Sequence, residues 1–261
     1  MTMRPNRSAG FLLALGLAAT LALVLAGGCG TGNPYPPGSF DRAEFFVDHG
    51  KNFEAVAAYE SFVRRNPTDS LAAEAQFRKG TTYLAMKEYP LAAVEFQILR
   101  KDYPTSDLVS EAMFREGQAY LFEVGKVQRD ISGAYSARRQ FLDFLDRYPE
   151  SPFRTEAEQS LVEISDIVVR KRLREIDVYR QLHRYKAVAA TLDNLLAEEK
   201  RSSQLDKVLW ERAQTAFKLG QQGEGDRFLV QLREKYPDSP YARKIKTELR
   251  SDPVETDTPE S

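Results

Sequence analysis

Few residues of this 261-residue chain have types that carry chemistry. The single cysteine, Cys29, allows no intrachain disulfide and no Cys-based zinc site. The two histidines are far apart. His49 lies in Asp48-His49-Gly50, which reads as the turn of a helical hairpin, and His183 ends a long helical pattern, where a protonated imidazole would suit the helix dipole. Gly220-Gln221-Gln222-Gly223-Glu224-Gly225 has the glycines of a phosphate loop, but no strand before it and no Lys-Ser/Thr after it, so it reads as a hairpin turn. Arg170-Lys171-Arg172-Leu173-Arg174 is a basic cluster that could face an acidic partner or lipid phosphates, or be a solvated helix face. No nucleophile–base pair or carboxylate dyad follows from the spacing. The chain therefore reads as a non-enzyme with no cofactor and no metal. With 37 Lys+Arg against 38 Asp+Glu it lacks the basic excess of a nucleic-acid binder.

The chemistry open to Cys29 is set by what precedes it. Arg4 and Arg7 lead into an uncharged run from Phe11 to Leu25, too short for a permanent spanning helix and the right length for the apolar region of an export signal. Ala26, Gly27 and Gly28 then precede the cysteine. Small residues directly before a lone cysteine resemble a bacterial lipobox, although Ala26 stands where Leu is usual. The resemblance implies removal of residues 1–28, an S-diacylglycerol on Cys29 and an N-acyl group on its new amino terminus. At ~0.8 kcal/mol per buried CH₂, two or three such chains anchor a protein stably. Gly30, rather than Asp, favours the outer over the inner membrane. Residues 29–39, rich in Gly and Pro, read as a flexible tether, and 251–261 as a disordered acidic tail.

The elements between are helical repeats. Asn66-Pro67, Tyr103-Pro104, Tyr148-Pro149 and Tyr236-Pro237 each end a helix-like segment, and a Ser or Asp follows that can cap the next helix. The prolines are 37, 45 and 88 residues apart, the last gap being two steps with one mark missing near Lys200. Twelve residues before the first three prolines stand Ala55, Ala92 and Ala137, and eight before stand Tyr59, Phe96 and Phe141. Gly80 with Tyr83 and Gly117 with Tyr120 keep one spacing, and an insertion around 124–132 lengthens the third hairpin. Gly, Tyr, Ala, Phe and Pro at these offsets resemble the tetratricopeptide repeat, a pair of antiparallel helices that approach closely over small residues. A helix of some 30 residues is expected from Phe153 to His183, its partner over Ala187–Glu198, a fifth pair over Leu205–Leu219 and Gly225–Tyr236 with Trp210 in its core, and a capping helix over Tyr241–Arg250. The fold expected is all-α: a right-handed superhelical solenoid of about five hairpins over 40–250, N-terminal repeats over 40–150 and C-terminal repeats over 151–250.

Together the lipobox, the tether with Tyr35-Pro36-Pro37, the Tyr-Pro hairpins, Gln128-Arg129-Asp130 and the long helix resemble the BamD family of outer-membrane protein assembly lipoproteins. That resemblance implies a scaffold at the periplasmic face of the outer membrane. It would bind a barrel-inserting, BamA-like subunit through its C-terminal repeats and unfolded outer-membrane proteins through its N-terminal repeats. The chain departs from the family at Ala190-Thr191, where an Asn-Arg pair is usual. An alternative is a periplasmic tetratricopeptide scaffold coordinating envelope constriction or cell-wall synthesis, but no heptad run of the kind such proteins carry is visible. The family offsets put Phe40, Phe77 and Phe114 on the concave face, flanked by Glu74, Thr81, Glu111 and Gln118. Such an aromatic ladder would bind the aromatic C-terminal strand of a barrel protein; otherwise these rings are core between hairpins.

Overall fold

A computed structural model describes residues 33–126 and 130–251, and among them are eleven helices and no strand. They are α1 (Phe40–Asp48), α2 (Asn52–Arg65), α3 (Ala72–Ala85), α4 (Tyr89–Asp102), α5 (Val109–Lys126), α6 (Ser132–Arg147), α7 (Arg154–Gln181), α8 (Tyr185–Glu198), α9 (Leu205–Lys218), α10 (Gln222–Lys235) and α11 (Pro240–Ser251). Helices pack mainly on their neighbours in the chain, as five hairpins with α11 closing the stack against α10 and α9. This is the quasi-linear packing of a solenoid, in which each unit buries its apolar face on the next.

One device joins hairpin to hairpin. The backbone N–H of Asn66, Tyr103, Tyr148 and Tyr236 closes the last helical turn on the carbonyl four residues back. The proline that follows cannot continue the helix. Two residues further on, Asp69, Ser106, Ser151 or Ser239 accepts a hydrogen bond from the N–H of Leu71, Leu108, Phe153 or Tyr241, at 2.8–3.3 Å. This supplies a partner to a donor that the new helix leaves orphaned. The mark missing from the sequence is made without proline: Glu199 N–H bonds to Leu195 O, and Ser202 Oγ accepts from Gln204 N–H at 3.1 Å.

Within hairpins, Ala55, Ala92 and Ala137 are fully buried, as are the rings of Tyr59, Phe96 and Phe141. A methyl group on Gly80 would lie 2.7 Å from the Phe96 ring, and one on Gly117 2.7 Å from Phe141, so only glycine admits the ring. Ala43 takes the glycine's offset in the first hairpin and is fully buried. The fifth hairpin reverses the arrangement. Its small residue is Gly225 on the second helix, and its ring is Phe217 on the first. Trp210 is partly buried and stacks on Tyr241 of α11, at 6.0 Å, so it joins the fifth hairpin to the cap.

The tight turns between paired helices place Gly50, Lys87, His183 and Gly220 at positive φ. Behind each, the N–H of the following residue reaches the carbonyl five residues back, which closes the helix C-terminus. His183 thus sits in a left-handed turn beyond α7, not in the helix.

The 28 residues of α7 are twice the length of α8. The returning α8 ends beside the middle of α7, where Asp166 is fastened to the connector. Ser202 Oγ and Ser203 N–H donate to its Oδ1 at 2.6 and 2.8 Å, and Ser203 Oγ donates to its Oδ2 at 2.6 Å. The connector before α7 leads into its start at Arg154, twelve residues before Asp166, so the fifth hairpin is displaced along α7 by about 18 Å at 1.5 Å rise per residue.

The expected tether is shorter than its composition suggests. Asn33 to Ser39 are hydrogen-bonded to the first hairpin. Cys29, the signal expected over 1–28, Gln128-Arg129 and the part of the expected tail from residue 252 lie outside the described residues.

Candidate docking surface

The displacement at α7 opens a cleft of about 730 Å³. Its floor is one face of α7, where Ile167 and Leu173 lie beside Arg170 and Arg174. One wall is the end of α5, with Leu121, Phe122 and Val124, joined by Ile131 and Tyr89; the opposite wall is the start of α9, with Gln204, Lys207 and Glu211. The ring of Phe122 is exposed and lies 5.6 Å from that of Tyr89. Arg180 bridges the far end by pairing with Asp177 at 3.2 Å and with Glu211. The basic cluster is thereby divided by helical periodicity: Arg170 and Arg174 line the cleft, while Arg172 pairs with Glu175 at 2.8 Å. The polar lining carries both signs, Arg170, Arg174, Arg180 and Lys207 beside Glu163, Asp177 and Glu211, so with its apolar wall the cleft suits an extended peptide with aromatic side chains and polar groups between them. A second apolar surface lies at the end of α7, where Val178, Tyr179 and Leu182 are exposed.

The expected aromatic ladder points inward. Phe77 is 8% exposed and packs on Phe96, and Phe114 is 2% exposed among Phe141, Phe144 and Phe153. Phe40 is partly buried against Tyr59 and Phe62. All three occupy the side of the first helix that meets its own partner, one helical step from the open face, and their burial corrects the reading of them as a peptide ladder. Their polar companions are half-buried and engaged locally. Glu74 pairs with Arg78, Thr81 Oγ1 donates to Arg78 O, and Arg115 bonds both Glu111 and Gln118.

Along the whole stack the helices are tied together by a set of buried charges that the repeat pattern does not announce. Glu116 on α5 accepts from Gln97 and Arg100 on α4 and from Gln140 on α6, so one carboxylate ties three helices. Burial and the Glu116 charge push the Tyr120 hydroxyl up to about 12. Lys79 pairs with Glu95 at 3.0 Å and Glu60 at 3.2 Å; burial would lower its pKa, but these carboxylates outweigh it and raise it. Arg212 forks onto Asp193 at 2.7 and 3.2 Å and reaches Glu224 at 3.1 Å. Tyr59 donates to Glu44, and burial together with that carboxylate raises its pKa. The sequence sign of Glu116 and Arg212 is a charge on the buried stripe of a helix, next to the small residues Gly117 and Ala213.

His49 is exposed and stacks on Phe45, at 4.0 Å. Among the described residues no group of three or more His, Cys, Asp or Glu is placed to hold a metal ion, and no helix is long and apolar enough to cross a membrane.

No curated protein matches the chain. Among solved structures it is similar to pilF of Pseudomonas aeruginosa, with 17% identity over 81% of this chain and 83% of that one, at a TM-score of 0.36. It is also similar to a thermophilic tetratricopeptide protein of Thermus thermophilus, with 14% identity over 81% and 97% and a TM-score of 0.35. A tetratricopeptide repeat protein of Parabacteroides merdae shows 15% identity over 81% and 85%, again at 0.35. The family described as "YfiO: Outer membrane lipoprotein" matches residues 36–223, from the bound end of the tether into the fifth hairpin. The chain belongs to this YfiO, or BamD, family of outer membrane lipoproteins.

Proposed function

We propose that this protein is a lipid-anchored scaffold of outer-membrane β-barrel assembly, held at the periplasmic face by acyl chains on Cys29. It binds unfolded barrel proteins and a barrel-inserting, BamA-like subunit, and catalyses no reaction itself. Family membership supports the setting, and the observation that carries the binding role is the cleft over α7. There an exposed ring on α5 stands across from Arg170 and Arg174 of α7, in a cleft that also carries Glu163, Asp177 and Glu211, a surface suited to an extended barrel segment with aromatic side chains. The apolar end of α7, in the C-terminal repeats, is the corresponding surface for the barrel-inserting subunit.

The test uses the lipidated chain purified from its own envelope. The wild type should bring down a large outer-membrane protein and bind a peptide copied from the C-terminus of a barrel protein. Phe122→Ala with Arg174→Glu should weaken peptide binding about tenfold or more, the loss of one buried ring and one charge pair, while helicity is retained. Val178→Glu with Leu182→Glu should remove the large partner. Unchanged recovery and unchanged peptide affinity would refute the scaffold reading at these surfaces.

A further inference from the structure

The path by which the chain enters the first hairpin is fixed. Asn33 Nδ2 donates to Arg42 O at 2.9 Å, and Arg42 Nη1 donates to Tyr35 O at 2.7 Å. Arg65 Nη1 donates to Pro37 O at 3.0 Å, and Asn66 Nδ2 to Gly38 O at 3.4 Å. The Tyr35 ring meets Phe45 edge-on at 6.3 Å, and Phe45 stacks on His49 at the C-terminal cap of α1. Traced backwards from Ser39, the segment thus starts at the N-terminus of α1 and heads toward the α1–α2 turn. Only residues 30–32 separate Asn33 from Cys29, and four fully extended steps span at most about 14 Å.

The turn at the end of this path carries an aromatic ring with no role in the core. Phe53 is 78% exposed, the most exposed large apolar residue among those described. The positions equivalent to it, three residues after the left-handed residue of the second, fourth and fifth hairpins, are Pro90, Lys186 and Gly223, all exposed. Among these four hairpins only the first places a ring there, and Val47 on the other side of the turn is exposed as well.

We propose that the α1–α2 turn rests on the lipid surface entered by the Cys29 acyl chains, with Phe53 at headgroup level. The proposal builds on the lipid anchor put forward above and adds the face that the anchor presents. The leash is too short to let the first hairpin swing free of the membrane. Because the anchor already confines the hairpin there, one ring and one aliphatic side chain suffice to orient it. Lys51 lies within the turn to meet lipid phosphates, with Asp48 and Glu54 flanking it, so the contact is to a zwitterionic surface and not to a strongly anionic one.

The test takes the full lipidated chain with Trp210→Phe, which removes the single tryptophan, and Phe53→Trp. It is reconstituted in phosphatidylcholine vesicles containing lipid brominated along the acyl chains. The introduced indole should be quenched about twofold or more, as expected for a ring at the membrane interface, whereas Leu142→Trp on exposed α6 in the same background should not be quenched. In the unsubstituted chain, amides of the α1–α2 turn should exchange more slowly on vesicles than in soluble Cys29→Ser. Mass spectrometry of the Cys29 peptide separates the two readings. An unacylated cysteine overturns the anchor and this proposal with it. An acylated cysteine with an unquenched indole and unprotected turn overturns this proposal alone. An indole that is unquenched on vesicles but shifted in native envelopes assigns the ring to a protein partner and overturns it too.

Discussion

Arg138 and Glu199, 61 residues apart, meet in a two-pronged ion pair with Nη1–Oε1 at 3.0 Å and Nη2–Oε2 at 2.6 Å. The pair joins α6 to the connector after α8 and so spans the displacement at α7. Glu199 is 2% exposed, so removing its partner leaves a buried carboxylate uncompensated. Arg138→Ala should cost about 3 kcal/mol, and Arg138→Lys should recover only part, since an ammonium cannot fork onto both oxygens. Urea unfolding of the three proteins reads the difference.

Phe114 lies parallel to Phe153 at 4.9 Å and tilted against Phe141 and Phe144 at 5.8 Å, joining the third hairpin to the start of α7. Phe114→Ala should therefore lower stability by about 3–5 kcal/mol, the usual cost of emptying a buried ring site. Thermal denaturation followed by circular dichroism would show it. A variant with unaltered melting and weakened peptide binding would return Phe114 to the binding face.

Asp166 gives the joint a pH dependence. Burial would raise its pKa, but hydrogen bonds from Ser202 and Ser203 prevail and hold it below the usual 3.8. Its stabilising contribution is complete above that value and is lost as pH falls through the lower folded-state value. Asp166→Asn should destabilise the chain by about 1–2 kcal/mol at neutral pH, with the gap to wild type closing below about pH 4. Urea midpoints measured across that range would test the sign.

His183 holds φ at +55°, a conformation costing a residue with a Cβ about 1 kcal/mol or more. Its ring meets Tyr185 edge-on, at 6.2 Å. His183→Gly should raise stability by about 0.5–1 kcal/mol, seen as a higher urea midpoint at unchanged slope.

The stack of hairpins was legible because it is written in local chemistry. Tyr-Pro or Asn-Pro stops one helix, and the Ser or Asp after it accepts from the N–H two residues on and turns the chain into the next, without help from distant residues. Gly80 and Gly117 stand where a ring leaves no room for a side chain. The hairpin with no proline was legible only as a gap in the spacing, since Ser202 makes the same turn there, by accepting from Gln204 N–H, without the proline. Facing direction was not legible. Phe77 and Phe114 differ from an open-face position by one helical step of about 100°, and a repeat pattern without a partner in view cannot tell the two apart. The cleft was hidden for another reason. It exists because α8 returns along only half of α7, and the connection that fixes this, Asp166 to Ser202 and Ser203, spans 36 and 37 residues. Arg170 and Arg174 were visible as part of a charge run, but which of its members share a face with Phe122 depends on that connection.

The sideways offset at α7 makes the molecule two short stacks hung from a single beam. A guest lodged in the notch between them would touch α5 and α9 at once, and so would bear on both stacks rather than on either alone.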